Sequence, residues 1–60
     1  MSNYLITIFK QDDSVEHHTL AYENIHLACM GATELLKMLS EYDSTYSNSG
    51  THVSEIKIND

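Results

Sequence analysis

An α+β domain of order β-β-α-β, with a three-stranded antiparallel sheet under one helix, is what this sequence predicts, on three observations. Ile25, Ala28, Cys29, Ala32, Leu35, Leu36 and Leu39 recur at the i, i+3, i+4, i+7 spacing that gathers side chains on one helical face. Asn3 to Lys10 (NYLITIFK) is rich in β-branched and aromatic residues and apolar on both alternating faces, as a central strand is. The third observation is length: 60 residues form one domain, 1–60, with room for a single thin core between one helix and one small sheet.

The elements follow in order. In the first strand Tyr4, Ile6 and Ile8 share the side expected under the helix, and Leu5, Thr7 and Phe9 share a side expected to be partly covered. Gln11 to Ser14 is a polar break suited to a turn, because Asp and Ser side chains bond back to nearby amides. Val15 to Tyr22 (VEHHTLAY) is a second, more polar strand, expected at an edge, and the short link predicts a hairpin. Asn24 is the expected N-cap of a helix running to Tyr42. Asp43 to Gly50 is a Ser/Asn-rich loop without period. His52 to Asn59 returns to alternation as a third strand, Ile56 and Ile58 on one side and Glu55 and Lys57 on the other. Pairing strand three with strand one gives the order 2-1-3 and centres the most apolar strand. A mixed sheet, with strand three beside strand two, is the alternative.

Nine carboxylates face three lysines, with no arginine, for a formal charge of −6. Direct nucleic-acid binding is not expected, since the residues that neutralise phosphates are missing. Such a charge serves solubility, or it selects a basic partner; both readings stand. No stretch approaches a membrane span. Cys29 has no disulfide partner in the chain and lies on the predicted buried face, and a lone cysteine without a signal peptide points to a reducing cytoplasm.

The topology places the charges. The hairpin tip, with Asp12, Asp13 and nearby Glu16, lies at the end of the sheet to which the helix returns with Glu41 and Asp43. These five carboxylates should share one pole, with Lys10 the only cation close in sequence. Anions at a helix C-terminus oppose the helix dipole by roughly 0.3–1 kcal/mol each. Solvated ends tolerate that cost, so the arrangement is either ordinary surface or an acidic pole that meets a basic site. On the helix back Leu27, Met30 and Met38 stand beside Glu34 and Glu41, with Lys37 placed to neutralise part of their charge and Gly31 marking a possible close approach. That back, or the strand-three edge, is the candidate surface for a weak homodimer; otherwise a monomer is expected.

Motifs for chemistry are weak. Adjacent strand residues His17 and His18 point to opposite faces and cannot share an ion, and no Cys/His spacing resembles a zinc site. Asp12-Asp13 lacks the glycine and closing glutamate of a calcium loop. No local context positions a nucleophile, so no enzyme, cofactor or metal is expected.

A small, acidic, cysteine-poor chain of this plan, beginning MSNYLITIFK and carrying HTLAYENIHLACMGATELL into its helix, resembles phage-encoded anti-CRISPR proteins. The likeness is nearest to the small inhibitors of type I systems, subtype I-C being one candidate. It lies in architecture and composition along the whole chain, and no family residue is carried over by a motif. The resemblance implies a phage or prophage protein in the bacterial cytoplasm, a binder without catalysis, attached to the Cascade surveillance complex. Several such inhibitors fill basic DNA-binding grooves with acidic surfaces, and others act by different routes. The contact residues expected here, Asp12, Asp13, Glu16, Glu34, Glu41 and Asp43, come from the topology. A small regulatory or antitoxin-like module that neutralises another basic protein is the alternative.

Overall fold

The computed structural model describes residues 1–57. Strands β1 (Ser2–Phe9) and β2 (Val15–Tyr22) form a hairpin, α1 (Ile25–Tyr42) crosses the sheet, a 3-10 turn occupies Ser44–Tyr46, and β3 (Gly50–Ile56) completes the sheet. The strand order is β2-β1-β3 with both pairs antiparallel, the expected topology; the mixed sheet does not occur.

Local chemistry explains the boundaries. Lys10 N–H donates to Ser14 O at 2.9 Å and Asp13 N–H to Lys10 O at 3.1 Å, which closes the hairpin. Asp13 sits at φ 70°, in the left-handed region that Asp tolerates better than most residues. Asn24 caps α1 as expected, its side-chain oxygen accepting from Leu27 N–H at 2.9 Å. The helix closes with Asp43 N–H donating to Leu39 O at 2.9 Å.

The core lies between α1 and one face of the sheet. Ile6 and Ile8 of β1 are fully buried against Ala32, with Tyr22, Leu35, Leu36, Leu39, Tyr46 and Val53 packed around them. Alanine at both buried helix positions, 28 and 32, leaves little side chain between the helix backbone and the sheet. This contact stripe is narrower than the periodicity suggested, and two expectations fail with it. Cys29 is exposed, because one residue on from Ala28 is about 100° round the helix. Ile25 is exposed too, one turn ahead of the first buried position.

The other side of β1 also departs from expectation. By register Phe9 lies between Val15 and Gly50, Thr7 between His17 and His52, Leu5 between Thr19 and Ser54, and Asn3 between Ala21 and Ile56. No element among the described residues covers these rows, and Phe9 is 50% exposed. Strand β3 begins at Gly50, earlier than expected. It turns Val53 toward the core beside Ile6 and leaves Ile56 on the open side. Ile58 and Asn59, expected in this strand, lie outside the described residues.

Candidate protein-binding surface

Lys10 and Tyr46 organise the end of the molecule at the hairpin tip. Tyr46 is carried inward by the 3-10 turn, which Asp43 caps by accepting from Thr45 N–H at 2.9 Å and from the Thr45 hydroxyl at 2.8 Å. The Tyr46 hydroxyl donates to both oxygens of Glu16, at 2.7 and 2.8 Å. Lys10 Nζ stands 4.2 Å above the Tyr46 ring centroid and 3.8 Å from Glu16 Oε1. His18 Nε2 is 3.4 Å from Glu16 Oε2. The Lys10 side chain is only 13% exposed, its stem laid along the protein and its charge held under the surface.

Three of the predicted site residues are thereby part of the fold's own bonding. Asp12 accepts from the Ser14 amide at 3.0 Å and from the Ser14 hydroxyl, and these bonds, the hydroxyl first, hold its carboxyl below the ordinary range. The Tyr46 hydroxyl does the same for Glu16; partial desolvation works against it, and His18 and Lys10 reinforce it. The Thr45 amide and then its hydroxyl depress Asp43. Lys10 adds a minor attraction to each of the three, and Glu16 is the one of them within 4.0 Å of its ammonium. A shallow depression of about 350 Å³, lined by Gln11, Asp12 and Thr45, marks where tip and turn meet.

Asp13 and Glu41 are exposed, one at the apex of the turn and one in the last turn of α1. Glu34 is also exposed but sits elsewhere, seven residues and so about 10 Å up the helix from Glu41, on the same side. It borders a groove of about 460 Å³ with Leu20, Tyr22, Gly31, Leu35 and Met38. The expected neutralisation by Lys37 is not seen: among the described residues the ion pairs within 4.0 Å are those of Glu16 with Lys10 and His18. Lys37 and its neighbours are exposed, and holding two long side chains together in water gains little.

Gly31 does mark a close approach, and the approaching group is the chain's own Tyr22, whose hydroxyl and ring occupy the space a Cβ would need. Leu27, Met30 and Met38 are exposed on the helix back. From the sequence Tyr22, Tyr42 and Tyr46 are expected to supply interface contact or to cover the sheet rim; the bond of Tyr46 to Glu16 is not legible there, since Tyr46 stands in a loop without period. Its one signal was an aromatic residue inside a Ser/Asn run, three residues after an aspartate able to cap a turn.

Among the described residues no three His, Cys, Asp or Glu side chains are grouped to hold a metal ion, and no helix is long and apolar enough to cross a membrane. Comparison with protein-family models, with curated proteins and with solved structures gives no match.

Proposed function

We propose that this chain is a non-enzymatic anti-CRISPR inhibitor whose acidic pole occupies the basic surface used by a type I Cascade subunit to recognise target DNA. The observation that carries the reading is the disposition of charge at the hairpin end. Asp12, Asp13, Glu16, Glu41 and Asp43 belong to that end; of the lysines near them, Lys10 is tucked against Tyr46 at 13% exposure, and Lys37, one turn before Glu41, makes no ion pair within 4.0 Å among the described residues. The outward field is therefore anionic, and the internal bonds of Asp12, Glu16 and Asp43 hold three of the charges in fixed places before any partner arrives. Pre-placed carboxylates substitute for phosphates with little ordering cost. Glu34 extends the negative surface along the helix back.

Long-range attraction accelerates such an encounter and weakens as salt rises. The decisive variants are those whose side chains have no structural duty. Asp13→Asn keeps a residue that tolerates the left-handed turn, and Glu41→Lys reverses a charge in the exposed last turn. The double variant is expected to keep the wild-type melting temperature and to lose protection in a phage-interference assay run against a panel of CRISPR subtypes. Full protection by that variant removes the pole as the contact. A regulatory or antitoxin-like module would use the same pole against another basic protein. Pull-down from host extracts with and without a CRISPR system separates the two.

A further inference from the structure

The open side of the sheet has a composition unlike the rest of this chain. Four cross-strand rows lie there, and none of their twelve positions is Asp, Glu or Lys. The opposite face of the same strands carries Glu16 and Glu55 at its margins. A solvated face of an antiparallel sheet ordinarily bears the polar half of the alternation. Here half of the twelve positions are polar without a carboxylate or lysine (Asn3, Thr7, His17, Thr19, His52, Ser54), and Leu5, Phe9, Val15 and Ile56 stand among them, with Phe9 50% and Val15 48% exposed.

We propose that this face is the interface of a symmetric homodimer in which two sheets stack. Charge selects the occupant. A chain of net charge −6 repels its own copy over most of its surface, and this uncharged face lets two copies meet without opposing anions. It offers nothing to a basic protein or to nucleic acid. Part of the polar row at its centre is already paired: Thr7 is 7% exposed and its hydroxyl lies 3.1 Å from His17 Nδ1, while His52 across from Thr7 is exposed and must find its partner across the interface. The same patch on both subunits suits a twofold axis.

Size sets the strength. Three strands about 4.8 Å apart and about 25 Å long give a face of roughly 350 Å², more once side-chain relief is included. Two copies then bury on the order of 1,000 Å², the lower end for a specific interface. The dimer is accordingly a reversible one, and it leaves the acidic pole at the sheet's end free.

Sedimentation of the full chain from 5 μM to 1 mM, in about 50 and 500 mM salt, tests this. A reversible shift from 6.8 kDa to twice that mass is expected. Salt should tighten it several-fold by screening the repulsion, the opposite of its effect on the acidic pole, so either reading can fail alone. Phe9→Glu should weaken association at least tenfold with an unchanged circular dichroism spectrum. Met30→Glu, on the helix back, should leave it intact. A monomer at every concentration overturns the proposal, as does association lost with Met30→Glu but kept with Phe9→Glu. A monomer whose inhibitory activity depends on Phe9 also overturns it, and assigns the face to a different protein.

Discussion

Tyr46 and Glu16 are thirty residues apart, and one hydroxyl, donated to two carboxylate oxygens at 2.7 and 2.8 Å, ties the 3-10 turn to the start of β2. The bond fixes the end of the molecule where hairpin, helix terminus and turn converge. Tyr46→Phe removes the donor and leaves the ring under Lys10. It should lower the melting temperature by roughly 2–5 °C, read by circular dichroism, because a charge-assisted bond is lost and only water, Lys10 and His18 remain to the partly exposed Glu16 carboxylate. An unchanged midpoint would mean that the contact adds nothing to the fold.

The pH profile should have two limbs. Asp12, Glu16 and Asp43 titrate lower in the folded chain, held down by Ser14, Tyr46 and Thr45 respectively. A carboxyl depressed below its unfolded value of about 4 stabilises the fold above that value and loses the contribution as pH falls through the folded pKa. Tyr46 is displaced upward by its bond to Glu16, so its contribution is full below about pH 10 and is lost as pH rises through the raised value. Urea midpoints of wild type and Tyr46→Phe should differ by a constant amount from about pH 5.5 to 9 and converge beyond either end. A difference independent of pH across the whole range contradicts this account.

Gly31→Ala should be destabilising despite alanine's better helix propensity. The new methyl would lie where the Tyr22 hydroxyl now is, and displacing the ring costs about 1–3 kcal/mol. In a Tyr22→Ala background the same change should stabilise by roughly 0.5–1 kcal/mol, the ordinary gain of alanine over glycine in a helix. The sign reversal between backgrounds, measured by denaturant unfolding, is the signature of the contact.

Ser49 should be better as alanine. Its hydroxyl oxygen is buried and has no hydrogen-bond partner among the described residues. Removing an unsatisfied polar group should raise stability by about 1 kcal/mol. A destabilised Ser49→Ala would show that the hydroxyl is satisfied in solution.

The elements were legible from patterning, and the need to bury the most apolar strand favoured the order 2-1-3 over a mixed sheet. The period through Ala28, Ala32, Leu35 and Leu39 and the cap at Asn24 mark the helix, and the doubly apolar β1 marks the central strand. What patterning could not give is distance. Periodicity says that Cys29 shares a half of the helix with Ala28, but not that the sheet touches only a narrow stripe of it. The convergence of Asp12, Glu16 and Asp43 follows from topology, whereas their bonding to Ser14, Tyr46 and Thr45 depends on a turn that no hydrophobic repeat announces. Those bonds divide the predicted contact residues into carboxylates the fold itself employs and carboxylates, Asp13 and Glu41 at the pole, open to a partner.

β1 pairs with β2 immediately and with β3 only through partners as distant in sequence as Asn3 and Ile56. A growing chain therefore carries its most apolar strand half-sheltered until β3 has been made. No fragment lacking β3 can close both flanks of Ile6 and Ile8, so a hairpin carrying only the helix keeps one edge of its most apolar strand unpaired, and the long-range pairing with β3 is the step expected to limit folding.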